Sequence, residues 1–416
     1  NIINKICPET KKTVKHEVRG VTVLTTGSEA WWQSKNGPEW VREQGKYRVT
    51  FWWRDPAGTQ HTSAVKRVWL YITGVTDHHK NARPQSLERI PDTDVWQWQG
   101  EFSPQWRGSY CFIPSENADD FAPDVFHGEQ PERMALREGW RKLLPQAMSD
   151  PLNAQSWRGG RGHDVSALEM PDAPVQPGWD RPNTPYRQPV CIDWQSKRLG
   201  NRRRVWIFTT GDDDPERPLA VLLDGQFWAE SMPVWPALTA LTLGRKLPPA
   251  VYVLIDVIDM AHRNNELPCN PDFWLAVQEE LLPLVKQRTP FSDRADRTVV
   301  AGQSFGGLSS LYAALSWPQR FGCVLSQSGS YWWPHRGGQQ EGLLIAQLKA
   351  GEKTARGLRI VLEAGRNEPL IYRANQAIYD ELHTQQQVYW RQVDGGHDAL
   401  CWRGGLTQGL MTLWQP

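Results

Sequence analysis

From about residue 190 onward, short apolar runs alternate with helical patterns, and this rhythm restricts the possible folds more than any other feature. Leu219–Asp224 and Val251–Asp256 are almost uninterrupted apolar runs, as expected of strands buried on both faces. Arg204–Phe208, Thr298–Ala301, Cys323–Ser326, Leu358–Glu363 and Tyr389–Val393 read as further strands. Between them lie segments such as Phe273–Lys286, where apolar residues recur three and four apart. Alternating strand and helix predicts a doubly wound, mostly parallel sheet, an α/β fold of the α/β-hydrolase kind.

The first part of the chain has another period. Tyr47–Trp53, Arg67–Ile72, Asp94–Phe102 and Ser109–Ile113 carry alternating strand patterns separated by turn residues. They predict an N-terminal β-sandwich over residues 20–148. Residues 149–189, rich in Pro and Gly, read as a semi-rigid linker. The catalytic domain is expected over 190–416, with residues 1–19 as an extension.

Composition removes several function classes. Lys and Arg total 47 against 46 Asp and Glu, a balance without the basic excess of a nucleic-acid-binding domain. No run reaches the roughly 18 apolar residues of a membrane span, and residues 1–19 lack the apolar segment of a secretory signal. The six cysteines are scattered, with no metal-ligand spacing, and read as reduced thiols. No metal site or cofactor is expected. The 23 tryptophans leave room for an aromatic pocket as well as a packed core.

Gly302-Gln303-Ser304-Phe305-Gly306 follows a predicted strand and opens a predicted helix. That context turns G-x-S-x-G into a nucleophile elbow with Ser304 as nucleophile. A serine hydroxyl needs a base, and His397, in the glycine loop after the last predicted strand, is placed to supply it. Glu368, just past the Leu358–Glu363 strand, is the expected acid. Glu363 still lies in that strand, while Asp394 and Asp398 sit too near His397 in sequence to orient it. The oxyanion hole is expected from the N–H groups of Phe305 and of Gln226, with Gly225 allowing close backbone approach.

Gly302–Gly307, Ser326–Trp333, Leu362–Gly365 and Gly395–Asp398, with Gly27–Ser34, Phe51–Asp55, Val75–His79 and Trp140–Gln146 in the front part, resemble the enterochelin (enterobactin) esterases. The resemblance runs over nearly the whole chain from about residue 26. It implies a cytoplasmic serine esterase that opens the ester bonds of a trilactone catecholate siderophore, ferric or iron-free. The products would be linear forms and finally dihydroxybenzoyl-serine, so that iron is released. It also places Ser304, His397 and Glu368 at the family's triad positions. A triply charged, three-ringed substrate calls for cations and aromatic faces. Arg263, Tyr331, Trp333, His335 and Arg336, in loops after predicted strands, are the expected contacts; Trp31, Trp32, His78 and His79 are weaker ones from the front domain. A feruloyl or acetyl carbohydrate esterase with a sugar-binding front domain is the alternative, and a non-catalytic binder of aromatic anions a third reading.

Overall fold

The computed structural model describes residues 23–80, 82–121, 130–159, 162–335 and 341–415. The proposed extension 1–19 and Arg336 lie outside the described residues, as does Cys7.

In the second half the strands are β9 (Val190–Ser196), β10 (Asn201–Thr209), β11 (Leu219–Leu222), β12 (Val251–Ile255), β13 (Thr298–Gln303), β14 (Cys323–Gln327), β15 (Arg359–Gly365) and β16 (Val388–Val393). They form one sheet in the order β16-β15-β14-β13-β11-β12-β10-β9. Pairing is parallel from β12 through β11 to β16, and antiparallel where β10 meets β12 and β9. The uninterrupted apolar runs reflect burial on both faces. Leu219, Val221, Val251 and Val253 enter one core, while Ala220, Leu222, Tyr252 and Leu254 enter the other. The chain runs from β11 to β12 on one side, then crosses to β13 on the other. Loops therefore diverge at the carboxyl end of β11, which opens a crevice there.

The front domain contains β1 (Glu39–Glu43), β2 (Lys46–Arg54), β3 (Arg67–Ile72), β4 (Gln85–Arg89), β5 (Val95–Phe102), β6 (Arg107–Ser115), β7 (Ser156–Arg158) and β8 (Asp164–Glu169). Their order is β1-β2-β5-β4-β3-β6-β8-β7, and β4 joins both halves into one curled antiparallel sheet. Tyr47, Val49, Phe51 and Trp53 of β2 meet Val68, Leu70 and Ile72 of β3 across the interior. The other face of β3 and β6 packs Trp69, Tyr71, Cys111 and Ile113 against Trp140 of helix α1 (Gln130–Leu143).

The stretch 149–189 is more than a linker. It supplies β7 and β8, and β8 pairs with β6 from Arg107↔Glu169 to Tyr110↔Ser166. The Val165-Ser166-Ala167-Leu168 run is buried throughout, so packing wins over a composition that favours extended loops. Farther along, Gln176 Nε2 donates to Leu400 O and Trp179 Nε1 to Arg403 O, which ties this segment to the hydrolase domain.

Four helices of the second half begin within a few residues of the carboxyl ends of β12, β13, β15 and β16: α2 (Met260–Glu266), α3 (Phe305–Ser316), α4 (Pro369–Leu382) and α5 (Ala399–Leu413).

Candidate active site

Ser304 sits between β13 and α3 with φ 60° and ψ −121°, a strained backbone for a residue with a Cβ. Hydrogen bonds hold it there: its N–H donates to Gln327 O at 3.0 Å, and Ser330 N–H donates to Ser304 O at 3.1 Å. The turn is tight enough to require Gly302, because a Cβ there would lie 2.4 Å from the Gly306 carbonyl carbon and oxygen. Gly306 is less constrained than its place in the motif suggests. A Cβ would meet Leu223 Cβ at an ordinary 3.5 Å, whereas at Gly307 it would lie 2.7 Å from Ser326 Oγ. The side chain of Ser304 is half-buried at the crevice, with Ser330 Oγ 3.4 Å from its own Oγ.

Glu368 follows β15 directly and is fully buried. Its Oε2 accepts from Gly365 N–H at 2.8 Å and from Ser328 Oγ at 2.7 Å. Its Oε1 lies 2.5 Å from His397 Nδ1. A carboxylate only accepts, so Nδ1 carries the proton and Nε2 is the basic nitrogen of the neutral ring. Trp402 of α5 closes one side of that ring edge-on, with centroids 4.7 Å apart. Its indole N–H donates to Ser328 Oγ at 3.0 Å. Ser304, Glu368 and His397 thus stand on loops at the carboxyl ends of β13, β15 and β16, with the β14 loop between the serine and the acid.

Asp394 and Asp398, set aside as acids, anchor the histidine loop. Asp394 accepts from Asn367 Nδ2 at 3.1 Å and from Ser103 Oγ of the front domain. Asp398 accepts from Ser109 N–H at 2.5 Å and Ser109 Oγ at 2.9 Å, and caps α5 through Leu400 N–H at 2.9 Å. Burial pushes the Asp398 carboxyl up, and these hydrogen bonds pull it back only in part. Glu363 lies wholly buried beneath the site. Burial pushes it up to about 7, against Arg391 and the Gln327 amide. Arg391 Nε is 2.9 Å from Glu363 Oε1 but is not aligned for a hydrogen bond.

Known proteins place this arrangement in a family. Residues 48–179 match the family described as enterochelin esterase, N-terminal, and residues 196–413 match a putative esterase family. The iron(III) enterobactin esterase of Escherichia coli K12 is 69% identical over 399 residues, which span 95% of this chain and 98% of that protein. The chain belongs to the enterochelin (enterobactin) esterase family. The crystal structure of ferric enterobactin esterase from Salmonella typhimurium superposes with a TM-score of 0.89 at 70% identity, covering 94% of this chain and 99% of the other. The Shigella flexneri enterobactin esterase, crystallised in the presence of enterobactin, has a TM-score of 0.85 at 67% identity, covering 94% of this chain and 100% of the other.

Within this esterase fold the expected substrate contacts divide. Tyr331 is fully buried, so it offers no face to a ligand; its hydroxyl lies 2.6 Å from Ser326 Oγ and donates to Gly307 O at 3.3 Å. It supports the elbow from below. Arg263, on α2, is bound through Nε and Nη2 to Asp224 at 2.8 and 2.9 Å and lies over the Phe305 ring. Burial works to lower its pKa, and the Asp224 carboxylate outweighs that and raises it. Its charge is already spent on the loop that leads to Gln226. Trp333 is half-buried against the core, and His335 is exposed. Trp332, next to Trp333, is the tryptophan that meets Phe305, at 5.9 Å.

Phe305 opens α3 immediately after Ser304. Gln226 follows Asp224 and Gly225, and its Oε1 accepts from Val257 N–H at 3.2 Å. Gly225 is pressed against the β12 backbone, where a Cβ would lie 2.4 Å from Ile255 N. The close approach inferred from sequence is therefore made to the neighbouring strand. Sequence reasoning missed Ser328, Ser330 and Trp402. The Ser326-Gln327-Ser328-Gly329-Ser330 run was visible, but nothing in it says which hydroxyl faces the acid. Trp31 and Trp32 pack with Trp52 and lie beside Lys35 or Arg54, whereas His79 reaches the site, its ring 4.4 Å from that of His397. Among the described residues no cluster of His, Cys, Asp or Glu could hold a metal ion, and no helix is long and apolar enough to cross a membrane.

Proposed function

We propose that this chain hydrolyses the ester bonds of enterobactin, ferric or iron-free, through Ser304, His397 and Glu368. The observation that carries the reading is the Glu368–His397 bond, set across the β14 loop from a strained serine. Ser304 Oγ attacks an ester carbonyl while His397 Nε2 takes its proton, and Glu368 stabilises the imidazolium. The N–H groups of Phe305 and Gln226 receive the oxyanion, each worth about 3 kcal/mol of transition-state stabilisation. Collapse of the tetrahedral adduct breaks the C–O bond to the next seryl oxygen, which leaves as an alcohol with the proton from His397. Water, deprotonated by the same imidazole, then releases the acyl group as a carboxylate.

The first cut opens the macrocycle, and further cuts lead to dihydroxybenzoyl-serine. Each cut weakens the chelate, which lets iron leave; iron is part of the substrate, and no cofactor takes part. A cytoplasmic location fits a step that follows siderophore import. The curated relatives span both domains, which favours the siderophore over a sugar ester. The test is mass spectrometry of the cyclic trilactone incubated with wild type and Ser304→Ala. Linear trimer followed by monomer, in wild type only, is expected. An intact macrocycle with wild type, or equal cleavage by the variant, refutes the proposal.

A further inference from the structure

The histidine loop is held from two sides. On the hydrolase side Trp402 and Glu368 fix one edge and one nitrogen of the His397 ring. On the other side stands the front domain. The backbones of Gly74 and Gly396 meet so closely that a Cβ at 396 would lie 2.5 Å from Gly74 N. Lys80 Nζ donates to Asn367 Oδ1 at 3.1 Å, beside the acid. His79, from the same loop, lies against the His397 ring at 4.4 Å with 34° between planes. His79 is backed by His78 at 4.1 Å, and Tyr71 OH lies 2.8 Å from His78 Nδ1. Tyr71 is buried on β3 and meets Trp140 at 4.9 Å. A continuous file of rings therefore runs from the core of the front domain to the imidazole.

We propose that His79 is a positioning residue, through which the front domain fixes the plane of the His397 imidazole. Glu368 restrains one nitrogen but leaves the ring free to tilt about that bond. Trp402, perpendicular to the imidazole at 4.7 Å, and His79, tilted against it at 4.4 Å, both limit that tilt. The front domain is then part of the catalytic apparatus.

The inference rests on the reading of His397 as the base, so that reading is checked alongside it. His397→Ala and Ser304→Ala must abolish hydrolysis of p-nitrophenyl butyrate, a small ester that needs no siderophore pocket. Should either retain wild-type turnover, the triad reading fails, whatever His79 does. With the triad upheld, His79→Ala is expected to lower kcat on this ester by about tenfold, since a small misplacement of a catalytic group is costly. KM stays within about twofold, because no ground-state substrate contact is lost. His79→Phe restores a flat ring and recovers most of the loss. The downfield NMR resonance of the His397 Nδ1 proton, sharp in wild type and in His79→Phe, broadens in His79→Ala. A kcat within twofold of wild type for His79→Ala overturns the proposal. So does a change confined to KM for the siderophore, which marks a substrate contact. If His79→Ala proves too unstable to assay, His79→Phe decides: near-wild-type kcat supports the proposal, and a tenfold loss overturns it.

Discussion

Replacing Glu368 by glutamine keeps the shape of the acid and removes its charge, and the surroundings dictate which way the amide must face. In the native site Oε2 accepts from Gly365 N–H and from Ser328 Oγ. The Ser328 hydroxyl can rotate to accept, but the Gly365 amide can only donate. With the glutamine oxygen retained at that position, the NH₂ group points at His397 Nδ1. Nδ1 must then accept, the ring proton moves to Nε2, and the imidazole can no longer take a proton from Ser304. The flipped amide would restore the tautomer only by setting two donors face to face in a fully buried site, at about 1–3 kcal/mol. That confines the productive form to between about one molecule in five and one in a hundred or more. The imidazolium also loses its carboxylate, and in a serine-protease triad the equivalent change lowers kcat by about 10⁴. We expect Glu368→Gln to lower kcat for p-nitrophenyl butyrate by about 10³–10⁴, or roughly 4–5 kcal/mol, with Tm changed by only a few degrees. A loss smaller than about fivefold would refute the tautomer argument.

Three further outcomes follow from the geometry. Arg263→Lys cannot reproduce the two-pronged bond to Asp224, so kcat on the siderophore should fall about tenfold with KM nearly constant; a rise confined to KM would instead make Arg263 a substrate contact. Glu363, pushed up to about 7 by burial, holds its proton in the folded chain while the unfolded chain loses it near 4.5. Stability from this group is present below that pH and fades as pH rises towards 7, by an amount on the order of a few kcal/mol. Tm of Glu363→Gln should therefore fall less than wild type between pH 4.5 and 7; parallel curves would contradict this. Tyr331→Phe should cost about 1 kcal/mol in denaturant unfolding and leave KM for the siderophore unchanged, and a several-fold KM increase would return Tyr331 to the ligand.

The parts legible in sequence are those fixed by strand ends. Ser304, Glu368 and His397 each follow a recognisable strand of a parallel sheet, and topology alone brings such loops together. Direction within a loop is not written locally. Tyr331 stands two residues beyond Gly329, and only the packing of Ser326 and Gly307 turns its ring inward. Arg263 looked like a free cation because its partner, Asp224, is 39 positions away. β8 was hidden because glycines and prolines on either side of it outweigh six residues of strand in any compositional reading. The approach of His79 to His397 depends on how two domains dock, and no periodicity in either half reports that.

In the proposed mechanism one hydroxyl, Ser304 Oγ, does the nucleophilic work with the imidazole at 397. This is tested most directly by reacting the full chain with a fluorophosphonate and mapping the adduct by peptide mass spectrometry. A single stoichiometric adduct on Ser304 is expected, formed at least about a hundredfold more slowly in His397→Ala. Modification at another residue, or equal labelling of wild type and Ser304→Ala, would contradict it.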